Sequence, residues 1–308
     1  MTQLQKYTWL IDTIRHAGRI SHKELSDRWE RNMDMSDGKP LSRATFNRWR
    51  EAIFDQFGIS IECQKETGYL YFIANPEDIE RNKLKKWMLD SFAVSNVIRE
   101  NLALKGRILV DEIPSGRNHL TTILEAMKEN RRVMITYHPF NQEYGYTFPI
   151  EPYCIKLFEN RWYVLGRNNR GNIRVYGLDR LDEAEVTEER FKMPKGFDAA
   201  DFFATTFGIV IGHDMKPERI VIRAYGDHKH YMRSLPLHPS QELVDEQEDY
   251  ADFKLYLAPT YDFVMKLLQA GAMVEVISPA TLHREIKGWI ADMSDLYEED
   301  NKELTEEE

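Results

Sequence analysis

Apolar positions along this chain change their spacing several times, and each change marks a change of expected architecture. Leu4, Tyr7, Ile11 and Ile14 fall three or four residues apart, on one face of a helix that stops near Gly18. Ser21-His22-Lys23-Glu24 has the form of a capping box and opens a second helix through Leu25 and Trp29. NMDMSDGKP, with its Gly and Pro, reads as a loop. Ser42 caps a third helix to about Phe57, apolar along Phe46, Trp49, Ile53 and Phe57. ISIEC and GYLYFI then alternate around a QKET turn, which predicts a two-stranded wing. This order predicts a winged helix-turn-helix over residues 1–75. Helical spacing resumes at Pro76 and holds to about residue 105. A strand, RILVDEI, and a helix, RNHLTTILEAMKEN, complete a connector at 76–130.

Between 131 and 195 the pattern turns to VMITY, YTFPI, YCIKLF, RWYVLGR and NIRVYGL, five short β-rich segments parted by turn residues. That is the pattern of a small barrel or strongly bent sheet. After a linker at 196–216 the order becomes strand, helix, two strands, helix, strand over 217–297, as in a ferredoxin-like unit. ATLHREIKGWIADMSDLY forms the last helix and runs into an acidic tail at 298–308. The expectation is an α+β multidomain protein.

Composition sharpens this picture little, except in its distribution of charge. Of 308 residues 42% are hydrophobic and 12% aromatic, which suits globular domains and excludes a disordered chain. No run approaches the roughly 18 apolar residues of a membrane span. The amino end is too polar for a signal peptide. The two cysteines, Cys63 and Cys154, provide no disulfide framework, so a cytoplasmic location without a membrane partner is expected. The net charge of -10 argues weakly against a nucleic-acid partner. Residues 292–308, however, hold nine carboxylates and one lysine, and are expected to be solvated and disordered. KPLSRATFNRWR, at 39–50, holds four basic residues and no acid. Local charge decides what a surface attracts.

On the third helix Ala44, Asn47 and Arg48 point away from the apolar face, and Arg43 and Arg50 flank it. Asn suits adenine, Arg suits guanine, and flanking arginines reach phosphates. Lys39, Ser42, Arg43, Thr45, Asn47, Arg48 and Arg50, with Lys65 near the wing turn, are therefore the expected contacts to a double-stranded DNA operator. A basic helix alone would serve equally as a solvated face for protein contacts; the helix order and the wing favour DNA.

Residues 160–181, NRWYVLGRNNRGNIRVYGLDRL, combine a hairpin pattern with five arginines: Arg161, Arg167, Arg170, Arg174 and Arg180. Trp162, Val164 and Gly166 share one strand face; Tyr163, Leu165 and Arg167 share the other. Arg174 and Tyr176 also lie on one side. Arginine forks match phosphate oxygens and rings stack on bases. Asp179, Asp182 and Glu183 could equally neutralise the arginines, and the residues alone leave both readings open.

The run from ITYHPF through FPIEPYCIKLFENRWYVLGRN to IRVYGLDRL resembles the WYL domain family. Trp162-Tyr163-Val164 stands where that family has Trp-Tyr-Leu. Arg174, Tyr176, Leu178, Asp179, Arg180 and Leu181 stand where it has Arg-x-Phe/Tyr-x-Leu-Asp-Arg-Ile, and Tyr137 and Pro152 also fall in place. The resemblance implies an Sm- or SH3-like barrel in a homodimeric bacterial transcriptional regulator, expected to be a repressor, that senses a nucleotide or single-stranded nucleic acid. Carried over by position, Tyr137, Tyr163, Arg174, Tyr176 and Arg180 become pocket candidates, with Trp162 packed inside. Arg167 joins the candidates although the family often has an apolar or small residue there.

No metal, cofactor or enzymatic activity is expected. His228 and His230 diverge on a helix, Asp34-Met35-Ser36-Asp37-Gly38 lacks the glutamate of a calcium loop, and neither a phosphate-binding loop nor a nucleophile elbow occurs. Two rival readings remain: an accessory protein acting through RNA or a partner enzyme without specific duplex binding, and a sensor of an acidic metabolite.

Overall fold

The computed structural model describes residues 2–65, 68–100, 107–109, 116–140, 142–212 and 215–304. It divides into two compact units, Met1–Asp111 and Glu112–Glu308.

In the first unit α1 (Gln3–Ala17) buries Tyr7, Leu10, Ile11 and Ile14 and ends at Gly18, whose φ of 69° suits a residue without a side chain. A two-residue strand, β1 (Ile20–Ser21), leads into α2 (His22–Arg31). Ser21 Oγ accepts from the Glu24 amide at 3.2 Å, and the Glu24 carboxylate accepts from the Ser21 amide at 3.0 Å, so both halves of the capping box form. The segment read as a loop contains a one-turn helix, α3 (Met33–Ser36). Besides its backbone bonds it is held by side-chain bonds that no period shows: Ser36 Oγ donates to the Asn32 and Glu30 carbonyls.

Next comes α4 (Arg43–Phe57), capped by Ser42 Oγ accepting from the Thr45 amide. The strands β2 (Ile61–Gln64) and β3 (Leu70–Ile73) pair antiparallel, and β1 joins the free side of β3 to make a three-stranded sheet. Trp9, Trp29 and Trp49 meet edge to face at 5.0 and 5.1 Å, beside fully buried Leu10, Leu25, Phe46 and Ile53.

The single long connector helix expected from Pro76 is instead two, α5 (Pro76–Arg81) and α6 (Lys83–Glu100). Asn82 breaks it: its side-chain oxygen accepts from the Lys85 amide at 2.9 Å, restarting the helix. Within this unit α6 lies on α1, with Leu89 in the core and Asp90 bonded to Arg15 at 2.8 Å. Residues 101–105 of the expected connector, and most of the strand expected in RILVDEI, lie outside the described residues.

The second unit begins with α7 (Arg117–Glu129) and a five-stranded antiparallel sheet. Its strands are β4 (Arg131–Tyr137), β5 (Tyr146–Phe158), β6 (Arg161–Asn168), β7 (Ile173–Gly177) and β8 (Leu181–Arg190), in the order β7-β6-β5-β4-β8. YTFPI and YCIKLF, read as two segments, form one continuous strand. The register shift between Pro152 and Cys154 accommodates the proline, whose missing amide would otherwise interrupt the ladder. The acidic strand β8 carries only Leu181, Ala184 and Val186 toward the apolar core, too few to betray it by alternation. Ile123 and Ala126 of α7, a helix grouped with the connector by sequence, are fully buried in the same core as Val133, Ile135, Ile150 and Val164.

A short helix, α8 (Ala199–Phe203), leads toward a second antiparallel sheet. Here follow β9 (Glu218–Tyr225), α9 (His228–Ser234), β10 (Glu242–Glu246), β11 (Tyr250–Leu257), α10 (Tyr261–Gln269), β12 (Val274–Ser278) and α11 (Ala280–Leu304). The sheet order is β10-β11-β9-β12. Ile220, Ile222, Phe253 and Leu255 line its inner face against Phe263, Val264 and Leu267 of α10. Phe207 rests on both Phe158 of β5 and Phe263 of α10. The last helix continues to Leu304, through most of the stretch expected to be a disordered acidic tail. No helix among the described residues is long and apolar enough to cross a membrane.

Candidate ligand cavity and nucleic-acid interface

The β6–β7 hairpin sorts its five arginines into three groups. Arg161 Nη1 is 3.2 Å from Asp179, and Arg167 is 2.8 Å from Glu151. Arg180 lies over two rings, 5.0 Å from the Tyr137 centroid and 4.8 Å from that of Phe140. Arg170 and Arg174 are exposed and have no carboxylate partner among the described residues. Thus Asp179 does neutralise an arginine, but among the described residues Asp182 and Glu183 do not; Asp182 faces His138 at 3.9 Å.

A tight turn holds Arg170 outward. Asn168 Oδ1 accepts from the amides of Arg170 and Asn172, both at 3.0 Å, and Gly171 takes φ 83°. Arg170 and Arg174 line a cleft of about 600 Å³ together with Tyr146, Phe148 and Tyr176. The Tyr146 and Phe148 rings stack at 5.1 Å and 21°. Amide side chains from Gln142, Asn168, Asn169 and Asn172 complete the polar part of the wall. No acidic residue lines it among the described residues.

The Tyr176 hydroxyl is buried without a well-formed hydrogen bond. Burial raises its pKa, opposed by the nearby Asn168 amide and the Arg174 charge, so it is a neutral donor at the cleft wall. Tyr137 stands behind it, ring centroids 5.3 Å apart, and burial pushes its pKa up to about 12.

Of the expected pocket residues, Arg174 and Tyr176 line this cleft, and Tyr137 with Arg180 supports it from behind. Tyr163 is buried near Asp179 and Arg161 instead, on the strand face opposite core residue Val164. Trp162 is partly buried and packs against the core. Sequence reading missed Tyr146, Phe148 and Arg170 as lining residues; the alternation of YTF in register with β4 was the available signal.

Arg167 borders a smaller cleft of about 270 Å³, with Arg132 and Glu151. Glu151 is buried and accepts from Arg132, Arg167 and the Tyr153 hydroxyl. Asn168 and Asn169 line both clefts.

In the first unit α4 presents Arg43, Ala44, Asn47 and Arg48 to solvent, and Lys39 and Lys65 are also exposed. Ser42 Oγ donates to Thr45 Oγ1 at 2.9 Å, so these two side chains satisfy each other at the helix start. Arg50 turns back on its own unit: its Nε donates to the Ile61 carbonyl at 2.9 Å, and its guanidinium lies over Phe46 and Tyr71. It braces β2 against the helix. His22 stacks edge-on to Phe46 at 5.3 Å; burial and then the Arg43 charge lower its pKa, a hydrogen bond with the Ser42 backbone opposing them.

These features describe a helical unit with an exposed basic helix, joined in sequence to a sheet with an arginine- and tyrosine-lined cleft. Residues 118–186 match the WYL domain model, and residues 216–294 match the WCX domain model. The chain thus contains a WYL domain followed by a WCX domain, and the WYL match takes in α7. No curated protein matches the chain. Among solved structures, proteasome accessory factor B/C (PafBC) of Arthrobacter aurescens is 17% identical with a TM-score of 0.30. That alignment covers 82% of this chain and 41% of the other, so the chain spans well under half of that protein's length. The crystal structure of a CRISPR Cas-related protein is 11% identical, with a TM-score of 0.36, covering 97% and 88% of the two chains. Likenesses this slight say nothing about function.

Proposed function

We propose that the protein is a non-enzymatic, DNA-binding transcriptional regulator whose WYL domain senses a nucleotide or single-stranded nucleic acid. The observation that carries the sensing role is the pair of carboxylate-free arginines, Arg170 and Arg174, beside the stacked Tyr146 and Phe148. Unpaired guanidiniums next to an open ring face suit a ligand that joins phosphate to base. The sheet order β8-β4-β5-β6-β7, with a helix before it, supports an Sm-like barrel for this domain. The order β12-β9-β11-β10 with α9 and α10 supports a ferredoxin-like extension.

The order α1, α2, α4 and wing supports a winged helix-turn-helix, with Asn47 and Arg48 of α4 reading base edges and Arg43, Lys39 and Lys65 meeting phosphates. Residues Trp289, Ile290, Met293, Leu296 and Tyr297 leave an apolar stripe exposed along α11, which supports a homodimer presenting two DNA-binding heads to a pseudo-palindromic operator. Ligand in the cleft would shift operator affinity by binding the two dimer states unequally, and release of a repressor is the favoured sign.

Fluorescence anisotropy separates the two sites. Asn47→Ala with Arg48→Ala should abolish operator binding while single strands still bind. Arg174→Ala should leave operator binding intact and weaken single-strand binding about ten- to hundred-fold. Loss of both activities in both variants would exclude two separate nucleic-acid sites.

A further inference from the structure

The clefts on either side of the β6–β7 turn share Asn168 and Asn169 as a common wall. Arg170 and Arg174 stand on one side of that wall, and Arg132 and Arg167 on the other. We infer that the smaller cleft is a second phosphate subsite of the same ligand groove. The ligand is then an oligonucleotide lying across the turn, with phosphates on both sides, and a mononucleotide fills only half the site. This rests on reading the larger cleft as a nucleic-acid sensor.

The charge in the smaller cleft supports the assignment. Two guanidiniums share one carboxylate there, so its lining carries one net positive charge. Glu151 takes Nε and Nη2 of Arg167, at 2.9 and 2.8 Å, and Nε and Nη2 of Arg132, at 3.3 and 3.0 Å. A guanidinium offers five N–H donors, so the Nη1 of Arg167 remains without a partner among the described residues. Arg132 Nη1 reaches Glu189 at 2.7 Å, an exposed carboxylate outside the cleft lining.

The Glu151 side chain is only 6% exposed, whereas those of Arg132 and Arg167 are 37% and 45% exposed. A buried carboxylate therefore holds two guanidiniums whose heads solvent can reach. Their orientation is already paid for by the fold, which lowers the entropy lost when an anion binds. The triad takes one residue each from β4, β5 and β6, which fixes both guanidiniums relative to the turn. Gly171 adds a wall with no side chain and open space beside it, which lets a phosphodiester backbone pass close to the turn.

The test uses the full chain, with thymidine 5′-monophosphate and single-stranded hexathymidylate as probes, titrated between about 50 and 200 mM salt. The hexamer should bind more tightly and with a steeper salt dependence. Arg167→Gln should weaken the hexamer several-fold, flatten the slope of log K against log salt by about 0.7, and leave the monophosphate unchanged. Equal salt slopes for the two probes would overturn the second subsite. So would an Arg167→Gln variant that affects both probes alike, or neither. Should that variant melt at a lower temperature, Arg167→Lys keeps the charge and must retain the wild-type slope; a flattened slope there counts against the subsite. If neither probe binds, or Arg174→Ala leaves hexamer binding intact, the sensor reading itself fails, a result distinct from the loss of the second subsite alone.

Discussion

Arg174 has nothing to hold within its own fold. It is exposed, no carboxylate among the described residues pairs with it, and its cross-strand neighbour is Gly166. Replacing it by alanine should leave the melting temperature unchanged, because surface substitutions without partners rarely move stability. Hydrogen bonds to charged groups are worth about 1.5–3 kcal/mol, so affinity for single-stranded oligonucleotide should fall about ten- to hundred-fold. A parallel fall in melting temperature would make Arg174 a structural residue instead. His22 offers a test with opposite character. Its pKa is lowered from the ordinary value of 6.5, so below that pH the unfolded chain binds a proton more readily than the folded one. Stability is therefore full above pH 6.5 and declines as pH falls through 6.5 toward the folded value. Urea denaturation at neutral and mildly acid pH should show a loss in the wild type that is smaller in His22→Gln.

Among the elements, α7 depends on one glycine. Gly116 precedes it at φ 66°, and a Cβ there would fall 2.3 Å from the Asp179 amide nitrogen and the Leu178 carbonyl carbon. Both are backbone atoms of the turn between β7 and β8, so neither can swing aside. Gly116→Ala should cost about 1–3 kcal/mol, by overpacking and by the strained backbone, and lower the urea midpoint. An unchanged midpoint would mean that α7 is free to lift away from the sheet. The α4 helix illustrates the complementary case. Its buried face of Phe46, Trp49 and Ile53 is set by spacing alone, but Arg50 is drawn to the wing by the Ile61 carbonyl, a partner eleven residues away. Periodicity shows which face is buried; it does not show which long side chain folds back along its edge.

At the scale of the whole molecule, the open question is what covers α11. Trp289, Ile290, Met293, Leu296 and Tyr297 recur at spacings of one, three and four residues and stay exposed. An exposed apolar stripe of that kind along a helix calls for a partner. Under the proposed homodimer, Met293→Glu with Leu296→Glu should convert a dimer to a monomer in sedimentation or light scattering, and weaken operator binding by separating the two heads. A wild-type chain that sediments as a monomer at micromolar concentration would remove the dimer from the proposal.

Much of this was legible along the chain. The caps at Ser21 and Ser42, the apolar faces of α1, α2 and α4, the paired strands β2 and β3, and the strand and helix order of 217–297 follow from nearest-neighbour sterics, capping and burial periodicity, which operate over a few residues. The arginine-rich hairpin and Tyr176 also declared themselves, through alternation and through the WYL resemblance, whereas Tyr146 and Phe148 of the cleft did not. Other features depended on contacts distant in sequence. Asn82 broke a helix that apolar spacing alone would have continued. The acidic strand β8 became a strand by pairing with β4, some fifty residues away. Which arginines were neutralised was settled by Glu151 and Asp179, one of them on a different strand, because an ion pair forms between groups that the fold brings within a few ångströms. Sequence alone thus determined which groups this protein has to offer, since composition and period are local. The tertiary structure decided which of them remain free, since charge neutralisation, stacking and burial depend on neighbours that only folding supplies.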